Sequence, residues 1–393
     1  MQLTPAFLKN PNLQFVMGVL GMYNGEAYIV GGCVRDAAIG MPVNDIDIAT
    51  DHTPDEVRSL FKDHKNVRMV PTGIEHGTWT LVVGEDSFEV TTYRRDVETD
   101  GRRATVAFAD TMEEDAARRD FTMNALYMDA QGNVSDPTGR GISDLMVRAV
   151  RFVGDADERC REDYLRILRL FRFHAHYGVG PMDAAAFASA RNNAAGLKKI
   201  SGERIWSELK KTLSAHNPTD ALNYMTASGV LTAILPKHTP VWRVARLVQS
   251  ERECGVGGGS WERRLVTLCP TMRDIPFPCS KAETQYIQRL VTLSPTGKDA
   301  ADVAFVTKDL IMAVDCFLIN RAENGSSNNL SISDLTRGKA AVCPITPEYL
   351  QENGYEPGKR LGDALRFAMN LFRQSGLTAD RKTIMDQLSC NYF

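Results

Sequence analysis

One stretch constrains this chain more than any other: YIVGGCVRDAAIGMPVNDIDIAT, from Tyr28 to Thr50. Its first half runs from the apolar Tyr28-Ile29-Val30 into Gly31-Gly32, and a helix is expected to open at Cys33 and continue to Gly40. A strand, a glycine turn and a helix start in that order direct unpaired backbone N–H groups and a positive helix end at one point, which favours an anion. Arg35, in the first turn, adds a planar fork matched to phosphate. In the second half, Asn44 to Ala49 alternates polar with apolar, so a strand there sets Asp45 and Asp47 on one face and Ile46 and Ile48 on the other. Two carboxylates on one face repel unless a cation sits between them, and magnesium is commonly held by one or two carboxylates plus substrate phosphates. Phosphate donors beside such a pair point to nucleotidyl transfer, where metal activates the attacking hydroxyl and steadies the leaving pyrophosphate. Taken singly, Gly-Gly is a turn and D-x-D a solvated edge strand; order and close spacing carry the functional reading.

G-G-x-V-R-D followed by D-x-D resembles motif A of the class II nucleotidyltransferases, the family of bacterial and eukaryotic CCA-adding tRNA nucleotidyltransferases and bacterial poly(A) polymerases. Four more segments follow in the family's order. Arg118-Arg119-Asp120 through Leu126 resembles motif B, R-R-D-x-x-x-N; as a helix it would set Asp120 and Asn124 one turn apart on a shared face with Arg119 beside them. Asp136-Pro137-Thr138-Gly139 with Asp144-Leu145 resembles motif C, a joint between domains. Glu162-Asp163-Tyr164-Leu165-Arg166 resembles motif D, E-D-x-x-R, and opens a strongly periodic helical run to Phe173. Ser201 to Leu209 resembles motif E, which braces the neck helices in the family, and Arg204 is expected to be structural.

The resemblance implies an α/β N-terminal nucleotidyltransferase head of the polymerase-beta-like kind with a mixed sheet, followed by an all-α neck, body and tail. The expected boundaries are 1–148 for the catalytic head, 149–212 for a neck that recognises the base, 213–325 for the body and 326–393 for a tail that binds tRNA. It implies CCA addition to tRNA from CTP and ATP. Asp45 and Asp47 would hold two magnesium ions, and Glu89, on the strand Phe88–Tyr93, would be a third catalytic carboxylate. Gly32, Arg35 and Arg119 would hold the triphosphate, Asp120 and Asn124 would orient sugar or phosphate, and Asp163 and Arg166 would read the base with Arg169 and Arg172 near it.

The chemistry of the Asp163–Arg166 pair can be worked out independently. A carboxylate only accepts hydrogen bonds and a guanidinium only donates them. Cytosine offers its N4 donor beside the N3 acceptor, and adenine its N6 donor beside N1, so both fit one acceptor next to one donor. Guanine and uracil present the reverse order and would leave buried polar groups unpaired, at about 1–3 kcal/mol each. One amino-acid pair can thus select C and A with no nucleic-acid template. The competing reading is an i,i+3 ion pair between Asp163 and Arg166 on a helix surface.

With 393 residues the chain should hold two to four domains. A formal net charge of −3 excludes RNA binding through bulk charge, so any RNA contact needs a local basic patch. The eight cysteines are scattered with no C-x-x-C spacing, which argues against zinc and for reduced thiols in the cytoplasm. No basic leader precedes the first apolar residues, and Phe15–Tyr23 falls short of the roughly 20 residues of a membrane span. No metal-phosphohydrolase HD pattern follows the body, so no phosphatase extension is expected.

Locally, one helix is expected over Pro5–Asn24, another from the Thr53 cap to Lys62, strands at Val67–Val70 and Thr78–Val83, and a charged mobile loop over Arg94–Asp115 with a turn at Asp100-Gly101. Helices should follow Leu213, with breaks at Pro218, Pro236, Gly255–Gly259, Pro276 and Gly325–Asn329. Lys359 and Arg360 sit in a run resembling one near the family's C-terminus that could touch tRNA backbone. Pro71–Thr78 looks like the CCA-enzyme form of its segment, whereas the polymerase form resembles a basic G-R-R-F run. Poly(A) polymerase, an A-only or CC-only enzyme and a non-catalytic RNA-binding protein stay as alternatives, and the assembly as monomer or homodimer.

Overall fold

The computed structural model describes residues 1–74, 77–100, 103–235, 238–270, 277–294, 299–325 and 330–392, and their side chains except at 96–100, 103–106, 391 and 392. Glu75 and His76 of the Pro71–Thr78 segment, Gly101 of the expected turn, and the expected breaks at Pro236, Pro276 and 326–329 lie outside those residues. The chain forms two compact units, Met1–Thr212 with Asp220–Pro236, and Leu213–Thr219 with Lys237–Phe393.

In the first unit, α1 (Pro11–Leu20) starts where the Asn10 side chain accepts from the N–H groups of Asn12 and Leu13 at 2.8 and 3.3 Å. The single helix expected over Pro5–Asn24 is thus three pieces, 3-10 turns at Ala6–Lys9 and Met22–Asn24 flanking α1. Pro11 has no N–H to continue a helix, and Tyr23 takes φ 58°. Next come β1 (Ala27–Val30), α2 (Gly32–Ala38), β2 (Asp47–Thr50) and α3 (Pro54–Phe61). A capping box between Thr53 and Glu56 with Pro54 behind it opens α3, as the sequence signals.

Then follow β3 (Val67–Gly73), β4 (Thr78–Val83), β5 (Asp86–Thr92), β6 (Arg94–Asp100), β7 (Arg103–Phe108), α4 (Met112–Ala117), β8 (Tyr127–Met128) and β9 (Val134–Ser135). Seven strands make one mixed sheet in the order β3-β4-β5-β2-β1-β8-β9. β2 and β5 run parallel, with Asp47 opposite Glu89, while β1 pairs antiparallel with both β2 and β8. Ile29, Ile48, Leu81 and Phe88 are buried; Val30, Ala49, Ala125 and Tyr127 form a second buried cluster with Tyr93 and Val153. Asp47 is two residues from Ala49 and so shares that second face.

The expected loop Arg94–Asp115 is mostly regular: β6 and β7 form a separate two-stranded sheet and α4 follows it. Charge-rich composition signals solvation, but an antiparallel ribbon satisfies its own backbone without a core. Helices α5 (Gly141–Met146), α6 (Ala156–Glu162), α7 (Leu165–Tyr177), α8 (Ala184–Asn193), α9 (Gly202–Leu213), α10 (Thr219–Ala227) and α11 (Val230–Ile234) come next.

The second unit is helical among the described residues, with α12 (Trp242–Glu253), α13 (Trp261–Leu268), α14 (Lys281–Leu293), α15 (Ala300–Thr307), α16 (Leu310–Asn324), α17 (Ile332–Ala340), α18 (Pro347–Glu352), α19 (Lys359–Gln374) and α20 (Arg381–Tyr392). Pro218 and Gly255–Gly259 fall between helices, as expected. One core gathers Phe305, Leu350, Ala364, Phe372 and Leu388, and a buried ionic cluster joins Glu251 to Arg263 and Arg264, and Arg263 to Asp315. No described helix is long and apolar enough to cross a membrane.

Candidate active site

β1 delivers the chain to Gly31, whose φ of 74° suits glycine; a Cβ there would lie 3.3 Å from Nη1 of Arg119. Gly32 then begins the seven-residue α2. This turn forms one wall of a cavity of about 600 Å³ that lies entirely within the first unit. Among the described residues, seven arginines, 35, 94, 118, 119, 166, 169 and 204, line it against three aspartates, 47, 120 and 163. A chain of net charge −3 therefore carries a locally cationic chamber, suited to a polyanion.

Two of the carboxylates singled out in the sequence are placed differently from expectation. β2 begins at Asp47, so Asp45 lies in the exposed segment before it and off the ladder. Only one ladder bond extends further back, from the Glu89 N–H to the Ile46 carbonyl at 3.3 Å. Burial, reinforced by Glu89 and Asp45 and opposed by Arg119, pushes the Asp47 carboxyl above its usual range. Such mutual repulsion is what a bound cation relieves, and the donor set of carboxylate oxygens beside a cationic chamber suited to phosphates fits magnesium. Among the described residues, no group of three or more His, Cys, Asp or Glu is gathered as a metal cluster.

Motif B is not the expected helix. Phe121 is extended and Thr122–Asn124 is one 3-10 turn, because the Thr122 N–H bonds the Arg151 carbonyl at 3.0 Å and the segment is held in the interior. Asp120 and Asn124 meet all the same, with Asn124 Nδ2 donating to Asp120 Oδ1 at 3.0 Å. A continuous network follows. Arg169 gives Nε and Nη2 to Asp120 Oδ2 at 2.8 and 2.5 Å, and Arg35 gives Nη1 to Asn124 Oδ1 at 2.7 Å. Arg35 also bonds both oxygens of Asp36, donates to Tyr177 OH at 2.6 Å and lies 4.0 Å over the Tyr177 ring. The residue is 6% exposed with its fork engaged inward, so it ties α2 to α7 as well as lining the cavity.

Motif D is likewise broken. α6 ends at Glu162, Asp163 takes an extended conformation with φ −146°, and α7 starts at Leu165. One oxygen of Asp163 accepts from the N–H of Leu165, the first residue of α7, at 3.0 Å. Its other oxygen accepts from Arg204 Nη2 at 2.6 Å, and Arg166 pairs with Glu162. The surface ion pair between Asp163 and Arg166 is therefore not formed; each is held by another partner and both line the cavity.

Among the described residues the lining includes Gly32, Arg35, Asp47, Arg119, Asp120, Asn124, Asp163, Arg166 and Arg169, but not Asp45, Glu89 or Arg172. Arg172 is drawn instead to Glu208, Nε to Oε2 at 2.6 Å. Sequence reasoning passed over Arg94, Arg118 and Phe173 as site residues and read Arg204 only as a brace, though all four line the cavity. The doubled arginine of R-R-D was the available signal for Arg118; nothing local marks the others. The motif C region ties the first unit together, since buried Asp144 accepts from Thr122 Oγ1 and from Arg151, which also reaches Asp183.

Residues 27–151 match the family model of the Poly A polymerase head domain, and 181–241 match that of the Probable RNA and SrmB- binding site of polymerase A. The chain is 45% identical over 389 residues to human CCA tRNA nucleotidyltransferase 1, mitochondrial, covering 93% of this chain and 87% of that protein. It is 32% identical over 362 residues to the CCA-adding enzyme of Streptococcus sanguinis, covering 87% of each. The crystal structure of the Bacillus stearothermophilus CCA-adding enzyme in complex with CTP superposes with a TM-score of 0.69 at 25% identity, over 97% of both chains. The mixed sheet is thus a polymerase-type head, and a likeness kept along nearly the whole length makes this chain a member of the CCA tRNA nucleotidyltransferase family.

Proposed function

We propose that this chain adds C, C and A to the 3′ end of tRNA, taking CTP and ATP and releasing pyrophosphate without a nucleic-acid template. The observation that carries the reading is a single cationic chamber lined both by the Gly31 turn and Asp47 and by Asp163 and Arg166. In the reaction the tRNA 3′ oxygen bonds to the α-phosphorus and loses its proton, and the bond to the β-phosphate oxygen breaks as pyrophosphate leaves. Asp45 and Asp47 would hold magnesium, which when bound supplies Lewis-acid stabilisation of the phosphoryl oxygens, and Glu89, opposite Asp47 in the sheet, supports their charge.

Gly32, Arg35 and Arg119 receive the triphosphate, Arg119 being the donor nearest the glycine turn. Asp120 and Asn124 orient sugar or phosphate and are themselves fixed by Arg169 and Arg35. Asp163 accepts from the exocyclic amine of C or A while Arg166 donates to the ring nitrogen; a carboxylate oxygen already bonded to Arg204 keeps further lone pairs for this. Arg172 acts one layer behind, through Glu208. The four-part division at 148, 212 and 325 is kept as head, neck, body and tail, with exposed Lys359 and Arg360 at the start of α19 in the tail meeting tRNA backbone. All eight cysteines are free, which suits a reducing compartment, and the cytoplasm is the one we assign. Purified protein and a tRNA lacking its 3′ end should incorporate C from CTP alone, nothing from ATP alone, and C, C, A from both. Incorporation from ATP alone on that substrate would favour an A-adding or poly(A) activity.

A further inference from the structure

Behind two of the arginines that line the chamber, Arg118 and Arg119, stands a buried carboxylate that neither metal binding nor base reading requires. Asp115, in α4, has a side chain 1% exposed. Its Oδ1 accepts Nε and Nη2 of Arg118 at 2.8 and 2.6 Å and the backbone N–H of Arg94 at 3.3 Å. Its Oδ2 accepts Nε and Nη2 of Arg119 at 3.2 and 2.9 Å and the Tyr127 hydroxyl at 2.6 Å. Consecutive side chains normally diverge, but at the end of α4 Arg118 and Arg119 lie three and four residues after Asp115, so one carboxylate catches both. Each guanidinium gives Asp115 the same Nε/Nη2 edge, which leaves Nη1 outside that pairing; Nη1 of Arg119 donates to the Asn124 carbonyl at 3.4 Å and lies 3.3 Å from where a Cβ on Gly31 would stand. Two positive charges against one negative leave a net positive surface on a cavity wall to which both arginines belong.

We propose that Asp115 is a positioning residue for the triphosphate: it holds Arg118 and Arg119 together as one two-guanidinium surface that takes the β- and γ-phosphate oxygens and then the departing pyrophosphate. This rests on the nucleotidyl-transfer reading above. Asp115 touches no substrate, and its influence passes through the two arginines. Their mutual repulsion would separate them without the carboxylate, and a fork no longer aligned loses its bidentate contacts.

The test is steady-state kinetics and pyrophosphate inhibition of the full chain carrying Asp115→Asn, which keeps the size but removes the charge, alongside Arg118→Ala. The expected result is a KM for CTP and for ATP raised about 10-fold, with the pyrophosphate inhibition constant rising in parallel, kcat falling less, and the preference for C and A over G and U unchanged. A merely structural carboxylate would leave KM and pyrophosphate inhibition alone, whatever the change in active fraction or melting temperature. If Asp115→Asn fails to fold, Arg118→Ala decides: wild-type KM and pyrophosphate inhibition in that variant would overturn the proposal. Wild-type protein that transfers no nucleotide would reject the underlying reading, whereas active wild type with unaltered variants rejects only this one.

Discussion

Asp47 and its neighbours illustrate how a single carboxylate is prepared for a cation. Its carboxyl is raised by burial and by Glu89 and Asp45, so these acids destabilise one another in the absence of a counter-charge. Asp45→Ala or Asp47→Ala should therefore abolish nucleotide incorporation while leaving the circular dichroism spectrum and melting temperature near wild type. Turnover close to wild type in either variant would remove these aspartates from the chemistry. In the same chamber, Asp163 and Arg166 are each kept from collapsing onto the other, by Arg204 and by Glu162. Arg166→Ala should lower discrimination of C and A against G and U by about 10-fold, equivalent to about 1–3 kcal/mol, with triphosphate affinity changing less. Four-nucleotide kinetics on one tRNA measures this. Full preference retained in both Arg166→Ala and Asp163→Ala would mean that the base is read elsewhere.

The elements were legible in the sequence where the signal is local. Thr53-Pro54-Asp55-Glu56 carries its own cap chemistry, and α3 starts there; the β-branched alternation at Thr78–Val83 became β4. Legibility failed where tertiary partners decide. The periodic run through motif D predicted one helix, but Asp163 leaves it to accept from the Leu165 N–H and meet Arg204, a residue 41 positions away. Motif B gives up helical geometry because its backbone bonds to Arg151, and Arg172 has the spacing of a site residue yet is taken by Glu208. The end of α4 yields a pH prediction. Against burial, which raises it, Arg119 and Arg118 hold the Asp115 carboxyl down at about 2 from an ordinary 3.8. A depressed carboxylate stabilises the folded state above its unfolded value and loses that contribution as pH falls, so about 2 kcal/mol should disappear between about pH 4 and pH 2. Acid unfolding of Asp115→Asn should lack this component. An identical pH dependence in both proteins would contradict the assignment.

At the scale of the whole molecule, bulk charge and local charge point in opposite directions, and the local one sets the chemistry. A net charge of −3 disguises a chamber lined by seven arginines, because arginines that diverge along the sequence converge only after folding. The head was legible because its motifs are short, ordered and rich in chemistry-bearing residues, whereas the helical second unit was legible only as helices, its packing being set by apolar contacts such as Phe305 on Phe372 that no local pattern declares. Template-free addition predicts both what is selected and where it stops. The most direct measurement is to sequence the 3′ ends of a tRNA transcript ending at the discriminator base after reaction with the purified protein, magnesium and all four nucleoside triphosphates together. The account predicts ends extended by C, C and A and no further. A homopolymeric A tail, ends carrying G or U at comparable frequency, or no extension at all would contradict it.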